Sequence, residues 1–256
     1  MSFLTSTKVA PVDTVGVRQL GGSVAARRLG ALGPLTPDDL RLLNSMRGRS
    51  FDPGATIEDP SEPNETGWMV LSGWCARMSS GAATHRQITT ILLPGDGFGI
   101  GAAPWAGDRL PVYALSPCVL VDATVLRQLV RLRSPVHAKL IEACRKAAWL
   151  EQIYALNQIS RLGGQNAFCR VAHFLMELYV RLDQVGLVRA NTFVTPLKQQ
   201  ILAEILGLSG VHLNRTMRLL KHEGLVSLSR GAIHIPDPTR LSEVAQFDRD
   251  AMTTPP

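Results

Sequence analysis

The chain has 256 residues, 45% of them hydrophobic, and a formal net charge of +6. That length and content suit two modest soluble domains; no apolar run reaches the roughly 18 to 20 residues a bilayer crossing needs, and residues 1–28 hold no signal-peptide apolar segment, so a cytoplasmic address is expected. The basic balance admits nucleic acid as a partner, whereas the four cysteines (Cys75, Cys118, Cys144 and Cys169) lie far apart without a CxxC pair and argue against a zinc knuckle or an iron-sulfur cluster.

Residues 1–28 mix Gly, Ser, Thr and Val without a period and read as a flexible leader. LGALGPLTPDDLRLLNSM follows, with Thr36 as N-cap, Pro37 at the first helical position, two acids in the first turn and Leu40, Leu43 and Met46 on one face. From Phe51 to about Ala123, short β-prone runs (WMVLSGWCARM, RQITTILL, CVLVDAT) alternate with turn signals, as in a small antiparallel sandwich or barrel. This domain is expected over residues 29–135.

Between Pro135 and Ser160 there is no Gly and no internal Pro, and Val136, Leu140, Ala143, Ala147, Leu150, Tyr154 and Asn157 are spaced 4, 3, 4, 3, 4, 3. This is a heptad seam on one long helix. The seam suits either its own barrel or a second copy of the chain. Small Ala143 and Ala147 favour the second, so residues 136–165 read as a dimerisation helix with a seam of Leu140, Ala143, Ala147, Leu150 and Tyr154, Asn157 fixing register, and Gly163 and Gly164 breaking the helix as a hinge. FCRVAHFLMELYVRL is then an amphipathic helix with Val171, Phe174, Leu175 and Leu178 inward.

GLSGVHLNRTMRLLKHEGLV, residues 207–226, carries the most specific pattern. A helix-turn-helix needs a small residue in its first helix and a glycine where the chain turns, and Ala203 and Gly207 stand four apart. Leu202, Leu206, Leu208, Leu213 and Thr216 are spaced to fill the angle. Ser209 is an N-cap, so the start of the second helix offers free N–H groups and a positive dipole end. With Leu213, Thr216 and Leu220 inward, Val211, His212, Asn214 and Arg215 face outward, followed by Arg218 and Lys221. Arg215 suits bidentate contact with guanine, Asn214 an adenine or phosphate, and His212 a base acceptor or phosphate, while Arg218 and Lys221 suit the DNA backbone. Gly224 ends the helix, and LVSLS and AIHI around Arg230-Gly231 form a hairpin, a wing whose Arg230 meets phosphate. The winged helix-turn-helix is expected over residues 166–238, with a C-terminal tail at 239–256.

Barrel, long helix and winged helix in this order resemble the Crp/Fnr family of bacterial transcription regulators, through WMVLSGWCARM, RQITTILLPGDGFG and LGLSGVHLNRTMRLLKHEGLV. The resemblance covers residues 29–238. It implies an α+β fold with an N-terminal β jelly-roll barrel like those that bind cyclic nucleotides, a dimerisation helix and a C-terminal winged helix-turn-helix. It further implies a homodimer on a two-fold symmetric site in double-stranded DNA that touches RNA polymerase. On the family's pattern the base readers fall at Gly210, Val211, His212 and Arg215; Gly210 departs from the longer polar residues frequent there.

Family members that bind cyclic AMP follow a glycine-rich turn with a Glu for the ribose hydroxyl and an Arg for the phosphate. Gly95 and Gly99 keep the turn, but Ile100 stands where the Glu belongs, which would leave the ribose hydroxyls unpaired. Arg109, the candidate phosphate ligand, is displaced by one position and reads better as a loop arginine. The positions facing the base are Ala155 and Leu156. Cyclic AMP is therefore not expected; nor is an iron-sulfur cluster, because the leader has no cysteines, or haem, for which Cys75 and His85 are the only obvious barrel ligands. Cys169 reads as a small hydrophobe rather than a redox switch. What remains is an unidentified small-molecule effector or control by abundance.

Enzyme chemistry finds little support: His85 is the only barrel histidine, and no GxSxG or Walker loop occurs. No catalytic residue and no metal ligand is assigned. The rival reading is a cyclic-nucleotide-binding regulatory or interaction module that does not act through DNA; the Ala203, Gly207 and Arg215 arrangement speaks against it.

Overall fold

The computed structural model describes residues 18–59, 66–80, 86–101 and 110–252, in two compact units, Met1–Glu151 and Gln152–Pro256. The first unit opens with helices α1 (Arg18–Gly30) and α2 (Pro37–Ser45). Eight strands follow: β1 (Gly48–Phe51), β2 (Thr56–Glu58), β3 (Trp68–Ser72), β4 (Cys75–Ser80), β5 (Arg86–Leu92), β6 (Gly97–Phe98), β7 (Val112–Ala114) and β8 (Cys118–Asp122). Helix α3 (Thr124–Leu132) and a 3-10 turn at Pro135–His137 lead into α4 (Ala138–Gly164), which runs across the boundary between the units.

The strands pair antiparallel in two four-stranded sheets, β1-β8-β3-β6 and β2-β7-β4-β5. Trp68, Val70, Cys75, Leu92, Phe98, Val112 and Leu120 share the core. Trp68 to Leu71 are buried without alternation because α1 packs on β3; a strand covered on both faces loses its polar side. Where β3 turns into β4, Gly73 has φ +75°, and a Cβ there would lie 2.2 Å from the Pro117 carbonyl oxygen. That close approach brings the free thiols of Cys75 and Cys118 to 3.6 Å. Thr36 caps α2 as expected: its Oγ1 accepts from the Asp39 N–H at 3.2 Å, and Asp39 Oδ2 accepts from the Thr36 N–H at 2.8 Å, a reciprocal capping box. Asp39 also bonds His137 Nδ1 at 2.6 Å; burial raises its carboxyl, but the bonds from His137 and Thr36 outweigh burial and hold it below the usual range.

The second unit holds the end of α4, then α5 (Ala167–Gln184), β9 (Thr192–Val194), α6 (Gln199–Leu206), α7 (Gly210–His222), β10 (Ser227–Ser229), β11 (Ala232–His234) and α8 (Pro238–Ala245). The α+β fold, with its antiparallel barrel, long helix and carboxy-terminal helix-turn-helix, is that expected from sequence.

Three expectations need correction. The leader assigned to residues 1–28 is helical from Arg18, and Val24, Ala25, Arg28 and Leu29 are buried on one face of α1. The tail assigned to 239–256 begins as α8, capped by Asp237 and packed on α5, with Leu241, Ala245, Phe247 and Met252 buried. Gly163 and Gly164 form the end of α4, which stops at Gly164 before α5 starts at Ala167, so the helix breaks where the sequence places it. Most consequentially, the seam residues are already covered within this one chain: Leu140, Ala143 and Leu150 are 0% exposed, Tyr154 is 3% exposed, and Ala147 is half-buried. A heptad stripe marks a buried helix face without saying what buries it. Asn157, expected to set register, donates instead to Met252 Sδ at 3.0 Å.

Candidate nucleic-acid interface

Helix α6 buries Leu202, Ala203, Ile205 and Leu206, and stops at Gly207, whose φ of +59° sends the chain sharply away. The Leu208 N–H closes the turn on the Ala203 carbonyl at 2.9 Å. Two residues on, the Ser209 hydroxyl accepts the His212 N–H at 3.2 Å and starts α7. Leu213, Thr216, Met217 and Leu220 are buried, and Thr216 returns its hydroxyl proton to the His212 carbonyl at 2.9 Å. Met217 was missed in the sequence; it is the i+4 neighbour of Leu213.

Burying that stripe leaves Ser209, Gly210, Val211, His212, Asn214, Arg215, Arg218 and Lys221 exposed, with Val211 at 82%. No Asp or Glu occurs in α7. The open end of the helix and the basic side chains therefore present positive potential on one side. Thirteen residues make a rod about 20 Å long, slim enough for a major groove about 12 Å wide.

The wing is a three-stranded sheet in the order β10-β11-β9, one strand more than the predicted hairpin. Ser229 pairs with Ala232 around Arg230 (φ +47°) and Gly231 (φ +81°), a two-residue turn with both central residues left-handed. Arg230 is exposed at the tip. The structure thus assembles every predicted DNA-facing residue within the second unit.

In the first unit, Gly95 (φ +95°) and Gly99 (φ +68°) form turns, and Ile100 is 7% exposed. Arg109 and His85 lie outside the described residues. Ile100 lines a cavity of about 20 Å³ together with Leu29, Met69, Gly95, Phe98 and Ala147. Glu151, at its edge, is 2.6 Å from Arg77. Among the described residues no cluster of three or more His, Cys, Asp or Glu could hold a metal ion, and no helix is long and apolar enough to cross a membrane.

The geometry defines a winged helix-turn-helix module behind a jelly-roll domain. Residues 169–244 match the Crp-like helix-turn-helix domain family. The chain is 30% identical over 170 residues to the nitrogen fixation regulation protein FixK of Azorhizobium caulinodans, covering 64% of this chain and 64% of that protein. It is 22% identical over 242 residues to the HTH-type transcriptional regulator Cmr of Mycobacterium tuberculosis, covering 92% of each. FixK2 from Bradyrhizobium japonicum shares the fold, with a TM-score of 0.65 and 22% identity over 78% of this chain and 96% of that one. Residues 169–244 thus carry a Crp-like helix-turn-helix domain, and the chain as a whole is similar to regulators of the Crp/Fnr type.

Proposed function

We propose that the chain is a sequence-specific DNA-binding transcription regulator. The observation that carries this reading is the exposed front of α7: a capped helix start beside Val211, His212, Asn214 and Arg215, held by a buried turn that an ordinary surface helix does not need. Arg215, with Asn214 and His212, reads bases; Ser209, Gly210, Arg218, Lys221 and Arg230 hold the backbone.

The protein acts as a homodimer on a two-fold symmetric site and works by touching RNA polymerase. The dimer contact is not the seam expected from the first heptad stripe. It is the opposite face of α4, where Trp149, Ile153, Leu156 and Ile159 recur at helical spacing; Leu156 is 57% and Ile159 66% exposed. Two large aliphatic side chains left in water on one helix face favour a second copy.

The effector is not cyclic AMP. Support comes from Ile100, which is 7% exposed beside the glycine-rich turn and sets hydrocarbon where the ribose hydroxyls would need an acceptor. No cofactor is proposed, and no catalytic role.

The test is Arg215→Ala. It should weaken the preferred site by about 1 to 3 kcal/mol, relax one base position and leave the dimer intact. Equal loss on all sequences would remove the base-reading role.

A further inference from the structure

Gly163 and Gly164 look like a joint in the chain, at the end of α4, yet side-chain bonds fasten α4 before them to α5 after them. A Cβ at either glycine would meet nothing within 4 Å, and both lie in the last turn of α4. What surrounds them is a continuous set of side-chain bonds within the second unit. Gln158 of α4 donates from Nε2 to the Ile205 carbonyl at the end of α6, at 2.6 Å. Its Oε1 accepts from Arg161 Nε and Nη2, at 3.1 and 2.8 Å. Arg161 Nη1 bonds the Glu177 carboxylate of α5, whose other oxygen accepts from Arg181 Nη1 at 2.7 Å. The Arg181 guanidinium lies 3.9 Å from the Tyr154 ring centroid, back on α4. Arg170 of α5 bonds the Leu162 and Gln165 carbonyls at 3.3 and 2.8 Å and the Leu206 carbonyl at 3.0 Å.

Arg161, Glu177 and Arg181 are each 2% exposed. Swinging α4 away from α5 would strand charges in an apolar interior and free carbonyls at two helix ends, so the parts resist separation. We infer that the last three turns of α4 and the helix-turn-helix form one rigid body, bolted by Gln158, Arg161, Arg170, Glu177 and Arg181, and that this bolt sets the spacing between DNA half-sites. The inference rests on the dimeric reading above. Leu156 and Ile159, the dimer edge, and α7, the DNA edge, belong to the same compact unit, so their offset is fixed by the bolt and passes unchanged into the dimer. Gln158 and Arg161 are positioning residues, and the glycine pair is not a working joint.

The experiment presents duplexes carrying two copies of the half-site preferred by the wild type, separated by spacers of about 0 to 10 base pairs. The full-length wild type should favour one spacing. Gly163→Ala/Gly164→Ala should give the same profile. Gln158→Leu, and the charge-free triple variant Arg161→Met/Glu177→Met/Arg181→Met, should keep the half-site sequence while discrimination against neighbouring spacings falls on the order of fivefold or more. A folded, dimeric bolt variant with an unchanged spacing profile would overturn the inference. So would a profile that shifts or sharpens in the alanine pair, which reports on the joint even if the bolt variants do not fold. A wild type that selects single, unpaired half-sites would overturn the dimeric reading and this inference with it.

Discussion

The Ser209 hydroxyl accepts the backbone N–H of His212 at 3.2 Å and its carbonyl that of Leu213 at 2.9 Å, so α7 starts here with the Gly210 and Val211 N–H groups lacking a carbonyl one turn back in the helix. Ser209 is thus a structural cap at an exposed helix start, the kind of end whose free N–H groups suit an anion.

Ser209→Ala is therefore expected to cost about 1 kcal/mol of stability, from the lost cap. Ser209→Asp should retain the cap and weaken DNA binding through repulsion of phosphate. Urea unfolding and DNA titration of the two variants check this: cap and DNA effects should separate, and a common loss of both in the aspartate variant would show that the cap is not preserved.

Two leucines on α4 should behave in opposite ways. Leu150 is 0% exposed and Leu156 57% exposed. Leu156→Glu should dissociate the dimer while leaving a folded monomer with unchanged circular dichroism. Leu150→Asp buries an unpaired carboxylate and should destabilise the fold by several kcal/mol, about 3 or more. Sedimentation and thermal melting distinguish them; a dimer untouched by Leu156→Glu would rule out this face.

His173 supplies a pH dependence. Burial, then the Arg161 charge, push its imidazole down to about 4, against a smaller upward pull from Glu177. Arg161 Nη1 lies 3.3 Å from Nδ1, which as the acceptor must be unprotonated, and Phe247 packs edge-on at 4.9 Å. The facing charges are Arg161 of α4 and Glu177 of α5, with Arg181 completing the cluster. A folded pKa below the unfolded one means that the unfolded chain binds the extra proton. The stabilisation is thus full above the ordinary histidine value and is lost as pH falls toward 4, by up to about 3 kcal/mol. Burial raises the Glu177 carboxyl, but Arg161 and Arg181 outweigh it and leave it lowered, which adds a loss of stability as pH falls below the ordinary carboxylate value. Denaturant midpoints should climb between pH 4 and 6.5 in the wild type, and His173→Gln should flatten that slope. An equal slope in both proteins would assign it to other groups.

The helix-turn-helix was legible because its constraints are local: Ala203, Gly207, Ser209, Leu213 and Thr216 lie within fourteen consecutive residues and each answers a geometric need of one turn. The long helix was legible as a helix but not as an interface. Its buried stripe through Leu140 and Leu150 obeys the same period as the exposed one through Leu156, and only the three-dimensional neighbours distinguish them. α5 hid a further lesson. Residues 171 to 182 are all buried, charged ones included, because Glu177 and Arg181 find partners on α4 and on each other; a periodic reading assigns such residues to a solvated face. The third wing strand, α1 and α8 are short elements stabilised by packing, and their local patterns are weak on their own.

The most direct test of the account is selection of random duplex DNA by the purified, ligand-free wild-type protein at near-physiological salt, followed by sequencing. A discrete two-fold symmetric motif with two half-sites about one helical turn apart is expected. Recovery of unselected sequences by folded, dimeric protein would contradict the reading of α7 as a sequence reader active without an added effector.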